Sequence, residues 1–166
     1  NVVEPPVDPA QFLPEITMDI AASKFQVALD KLEKLLKQSN LNSDQRETAL
    51  HMQAEAYFAL HQNELETQGY KIIEYAKVAI NFNPSSTRNA AELLRIGFVN
   101  LKLKNIPEAE AHFNILRKQF PNDANVPLTY YYWGDYFFNK DELQKAADQF
   151  EYVLTKYPNS QYTREA

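Results

Sequence analysis

The 166-residue chain contains no cysteine, so neither a disulfide framework nor a thiolate metal site can form, and the redox compartment stays open. Glycine is scarce, with three in the chain, and there is neither a Gly-rich phosphate loop nor a G-x-S-x-G elbow. His51, His61 and His112 show no HExxH or paired metal spacing. They are read as surface or packing residues, and no metal or cofactor is expected. No apolar stretch reaches transmembrane length. A formal net charge of -5 with no basic run argues against nucleic acid or an anionic membrane as the main partner. Glu64 and Glu66, Glu108 and Glu110, and Asp141 and Glu142 lie near helix starts or in turns. Capping and the helix dipole account for them better than acid-base catalysis, so no enzyme activity is expected.

What is present is globular composition, 45% hydrophobic and 23% charged, in a chain long enough to bury a core as one compact unit. The most informative stretch runs from Pro127 to Ser160. Tyr130, Trp133, Gly134 and Phe137 are followed by Ala146, Phe150 and Pro158. Glycine inside a helix costs about 1 kcal/mol relative to alanine, so a close helix crossing should compensate, with Ala146 as the expected counterpart of Gly134. Pro158 ends the second helix. The register recurs upstream: Pro84, Pro121 and Pro158 share one interval, as do Gly97 and Gly134, Ala109 and Ala146, and Phe113 and Phe150.

Residues 1–16 hold Pro5, Pro6, Pro9 and Pro14, which points to an extended leader, either a loose linker or a strap docking Phe12, Leu13 and Ile16 on the rest. From 17 to 40 one amphipathic helix is expected, with Ala28, Leu32 and Leu35 at the spacing of a second repeat helix, hence a half-repeat. A degenerate repeat covers 43–84. Asn42 or Ser43 caps its first helix, Leu50, Ala54, Tyr57 and Phe58 point inward or to a groove, the turn His61 to Gly69 is long, and its second helix starts near Tyr70. Repeats follow at 90–121 and 127–160. Asn105 with Glu108, and Asp141 with Gln144, are expected capping pairs, while Asn100 stands where an aromatic is usual and either loosens packing or reaches a backbone group. Ser160 could cap a further helix beginning at Gln161, Tyr162 and Thr163. A start at Asn1 without a signal peptide suggests a processed product or a fragment.

These spacings match the W-x2-LG-x2-Y signature, and the chain resembles the tetratricopeptide repeat family from about Leu41 to Ser160, more weakly from Thr17. The resemblance implies an all-α, right-handed superhelical solenoid of antiparallel helix pairs over residues 17–166. It implies a non-catalytic scaffold that holds an apolar peptide or helix in a concave groove. The family's groove positions fall on Ala91, Leu94, Phe98, Leu101 and Lys102, on Leu128, Tyr131, Asp135, Phe138 and Asn139, and in the degenerate repeat on Thr48, His51, Glu55, Phe58 and Ala59. Of these, Leu94, Phe98, Leu101, Lys102, Tyr131, Asp135, Phe138 and Asn139 form the expected partner site. The lysine and asparagine clamp of chaperone-tail binders is absent. Rings surround the helix from Tyr130 to Phe138, so a partner or a further repeat is expected to cover Tyr131, Phe138 and Phe98. Arg95, Lys102 and Lys104 form a basic cluster suited to a solvated patch or a rim contact with an acidic partner. The turns FPND at Phe120–Asp123 and YPNSQY at Tyr157–Tyr162 are similar to those of bacterial envelope proteins such as outer-membrane assembly lipoproteins and the Tol-Pal coordinator. That favours the periplasm or the periplasmic face of the outer membrane over the cytoplasm. The alternatives are a structural or self-assembling repeat segment and a recruitment domain of an enzyme encoded elsewhere in the parent chain.

Overall fold

The computed structural model describes residues 3–161, so the further helix expected from Gln161 lies, beyond that first residue, outside the described residues. The elements are α1 (Pro9–Ala21), α2 (Phe25–Leu36), α3 (Ser43–His61), α4 (Leu65–Phe82), α5 (Asn89–Lys102), α6 (Ile106–Gln119), α7 (Val126–Asn139) and α8 (Leu143–Lys156). There is no strand among the described residues. The chain divides into two compact units, Asn1–Glu92 and Leu93–Ala166, rather than the single unit expected. The division falls inside α5 because its partners change along its length. Asn89 donates to the Asn83 carbonyl and Glu92 meets His51, whereas Gly97 and Phe98 meet side chains of α6 and α7.

In the first unit, α1 pairs with α2, α2 with α3 and α3 with α4. The expected extended leader is helical from Pro9 onward. Pro9 sits in the first turn, where a missing N–H costs nothing, and the Asp8 carboxylate accepts from the Ala10 N–H. Pro14 lies inside the helix and disfavours it by about 3 kcal/mol. Burial offsets this: Ile16 is fully buried and Phe12, Leu13 and Ile20 pack on Ala28, Leu32, Leu35, Ala49 and Ala56, each fully buried large apolar side chain being worth roughly 1.5–3 kcal/mol. Phe12, Leu13 and Ile16 therefore dock, but from a helix. Residues 3–8 carry no helix, Asp8 is extended, and the Gln38 side-chain amide accepts from the Val7 N–H at 2.8 Å and donates to the Val7 carbonyl at 3.1 Å.

The single helix expected over 17–40 is broken at Ala22–Lys24, where Ser23 takes a φ of 59°. Residues 9–36 thus form a complete helix pair instead of a half-repeat. The long turn expected from His61 to Gly69 is also absent, since α4 begins at Leu65 and buries Gly69 within the helix. The additional residues lengthen α3 to 19 and α4 to 18 residues. Asn42 caps α3 in a reciprocal box with Gln45.

In the second unit, α5 and α7 have boundaries 37 residues apart, as do α6 and α8. The αL residues Lys104 and Asp141, with φ of 65° and 58°, occupy the same place in the two intra-repeat turns. Pro121 and Pro158 each stand two residues beyond a helix end. The glycine at each crossing faces an aromatic ring rather than the small residue expected at Ala146: a Cβ added at Gly134 would lie 2.5 Å from Phe150 Cε1, and Gly97 faces Phe113 in the same way. The expected capping pairs do not form. Neither Asn105 nor Glu142, the residues before α6 and α8, caps through its side chain. Asn105 donates to Asn100 Oδ1 at 3.4 Å, and Gln144 donates to Asp148. The buried Asn100 amide reaches a backbone group, the Ile96 carbonyl, at 2.9 Å.

Candidate functional site

In α5, Leu93, Ile96, Val99 and Leu101 turn inward and are buried, which leaves Phe98 and Lys102 on the adjoining stripe one helical turn apart. In α7, Asp135 and Asn139 hold the same relation. The two stripes meet. Phe98 packs against Tyr132 with ring centroids 4.8 Å apart, and Lys102 Nζ lies 3.7 Å from Asp135 Oδ2. Between them is a hollow of about 40 Å³ lined by Phe98, Leu101, Lys102, Lys104, Tyr132, Asp135, Tyr136 and Asn139.

The structure therefore brings five of the expected residues together, Phe98, Leu101, Lys102, Asp135 and Asn139. Phe138, beside Asn139, is 57% exposed. Leu94 is buried and does not line the hollow. Tyr131 leans the other way, with its ring centroid 5.8 Å from that of Phe150 on α8. Lys104, expected only as part of a basic rim cluster, also lines the hollow, and Tyr132 and Tyr136 were not among the expected site residues. Their signal was the i, i+4 pairing of Tyr132 with Tyr136 alongside Asp135 and Asn139.

The exposed aromatic face expected around α7 is largely covered by this unit itself. Trp133 is buried and stacks on Phe137, Tyr131 meets Phe150, and Phe98 and Tyr131 are half-buried. Tyr130 lies against Tyr152 and Tyr157, under the guanidinium of Arg117 at 4.0 Å. Arg117 Nε donates to Thr129 Oγ1 at 2.9 Å. Burial lowers the Arg117 pKa and raises those of Tyr130 and Tyr157, so this cluster fastens α6, α7 and α8 around a desolvated cation. Beside the hollow, the hydrogen bond with Tyr136, followed by that with Glu142, raises the Lys140 pKa.

No nucleophile–base pair accompanies these contacts among the described residues of the hollow. The Lys102–Asp135 pair is 44% exposed at each side chain, so it adds little stability, at most about 1 kcal/mol, but it holds two opposite charges across the hollow. Rings, one ion pair and an amide suit recognition of a polypeptide. Elsewhere, in the first unit, His51 Nδ1 meets the buried Glu92 carboxylate at 2.5 Å, a contact that the lone-histidine reading did not foresee.

The tetratricopeptide repeat family model matches residues 93–123 and 129–160. These stretches cover most of α5–α6 and α7–α8, so the second unit matches two tetratricopeptide repeats, in a chain whose described residues are all-α and packed as consecutive helix pairs. Repeats of this family generally mediate protein–protein interaction as non-catalytic scaffolds. No curated protein matches the chain. Among the described residues no helix is long and apolar enough to cross a membrane.

Proposed function

We propose that the chain is a non-catalytic interaction scaffold whose second unit holds an apolar peptide or helix along the strip formed by Phe98, Leu101, Lys102, Asp135, Phe138 and Asn139, with Leu94 and Tyr131 supporting it from behind. The observation that carries this reading is the contrast between Leu101 and Phe138. They occupy equivalent positions 37 residues apart, yet Leu101 is 3% exposed and Phe138 57%. A partner that covered Phe138 would gain up to roughly 1.5–3 kcal/mol from this ring. The neighbouring ion pair and the Asn139 amide would fix its orientation.

A second reading shares this observation. Leu143, Tyr152 and Leu154 of α8 are also exposed, which suits a surface that stacks on another repeat or another copy. In that case the chain is a structural or self-associating segment, or a recruiting module attached to an enzyme. A bacterial envelope assembly, at the periplasmic face of the outer membrane, is the setting suggested by the FPND and YPNSQY turns.

Affinity capture from the source cell's extract tests the first reading, comparing the wild type with a folded Phe98→Ser, Phe138→Ser variant. A specific protein lost with the variant, and then bound directly by the purified wild type, supports the strip. An identical set of captured proteins from both sends the exposed rings to stacking.

A further inference from the structure

We propose that the occupant of this hollow is an acidic peptide segment, one that places an Asp or Glu side chain against Lys104 while an apolar neighbour covers Phe98 and Phe138. The inference rests on the strip being the binding surface and names the chemistry it selects. Lys104 is the chief observation. It adopts a φ of 65°, a left-handed backbone conformation that disfavours lysine, at the turn position that the following repeat fills with Asp141. Its ammonium lies 5.4 Å from the centroid of Tyr136, at the edge of the hollow, and it has no carboxylate partner among the described residues.

The surrounding charges point the same way. Lys140 sits 5.2 Å from the same Tyr136 ring, and Lys102 sits 5.6 Å from the Phe98 ring. The two acids among them are engaged: Asp135 by Lys102, and Glu142 by Lys140 at 3.3 Å and Lys145 at 2.6 Å. Asp141 is exposed in the turn and offsets part of this charge. In a chain with 22 acidic and 17 basic residues, these four lysines against three acids leave a local surplus of one cation, which falls on Lys104. The Phe98 and Tyr136 rings already carry the chain's own ammonium groups, so a basic partner meets repulsion there. A carboxylate instead completes a charge-assisted hydrogen bond.

The test is selection of random 12-residue peptides displayed on phage against three forms of the chain: wild type, Lys104→Glu, and Phe98→Ser with Phe138→Ser. Lys104 is exposed, so its variant leaves the core intact. The expected result is that peptides enriched on the wild type and lost from the double-serine variant carry a net negative charge beside apolar residues. Their affinities should fall roughly five- to tenfold on Lys104→Glu and weaken with added salt. Enriched peptides that are neutral or basic, or affinities unmoved by Lys104→Glu, overturn the acidic occupant and leave the strip in place. If no peptide separates the wild type from the double-serine variant, the strip itself fails and this inference goes with it.

Discussion

Replacing Gly134 with alanine sets two effects of known sign against each other. Alanine favours the helix by about 1 kcal/mol. The new Cβ would, however, stand 2.5 Å from Phe150 Cε1 and 2.8 Å from Cδ1 and Cζ, where carbon atoms ordinarily rest roughly 3.5–4.0 Å apart. The ring must move by about 1 Å, and Tyr131 packs against it. Overpacking of this kind costs about 1–3 kcal/mol, so the net change is a destabilisation of up to about 2 kcal/mol. The Phe150→Leu background separates the effects. With the ring gone, Gly134→Ala should stabilise by up to about 1 kcal/mol, and the coupling between the two substitutions should be about 1–3 kcal/mol. Urea unfolding followed by fluorescence of Trp133, the chain's one tryptophan, reads the second unit directly. Equal stabilisation in both backgrounds would refute the ring-on-glycine contact. Gly134→Leu, with three further carbons, should unfold this unit.

Three other perturbations probe separate parts of the fold. Pro14 is exposed within α1, so Pro14→Ala restores a helical hydrogen bond without disturbing packing and should stabilise the first unit by about 1–2 kcal/mol in thermal unfolding by circular dichroism. Burial alone would raise the Glu47 carboxyl, but hydrogen bonds from Asn83 and Arg88 and the Arg88 charge outweigh it and hold the folded pKa below its ordinary 4.5. Its stabilisation is therefore complete above the unfolded value and lost as pH falls through the folded one. The stability gap between the wild type and Glu47→Gln should close on acidification from pH 6 to pH 3. Arg117→Lys keeps the charge but loses the planar stack on Tyr130 and the Nε contact with Thr129, and it should cost about 1–2 kcal/mol, measured by Trp133 fluorescence in urea.

The repeats of the second unit were legible because their constraints are local and punctuated. Glycine, the ring that covers it and the closing proline recur at one interval, and helix boundaries follow. The helix α1 was not legible. Proline counts against helix in any window, whereas Pro9 is favourable at the first turn and the cost of Pro14 is met by burial against α2 and α3, which are distant in sequence. The break before α2 has no glycine or proline to mark it, since Ser23 supplies the positive φ. The start of α4 was hidden by a polar run ending in Gly69, a glycine buried in the helix. At the site, the groove register located Phe98, Lys102, Asp135 and Asn139. Rings on every side of α7 concealed which of them face α5, so Tyr131 was assigned to the hollow and Tyr132 and Tyr136 were not.

Hydrogen exchange on the second unit, with and without a partner captured by the wild type, addresses the binding surface most directly. Slowed exchange is expected in the helical segments around Phe98–Lys102 and Asp135–Asn139, with the outer face of α8 unchanged. Protection centred on Tyr152 and Leu154, with α5 and the end of α7 unaffected, would contradict it.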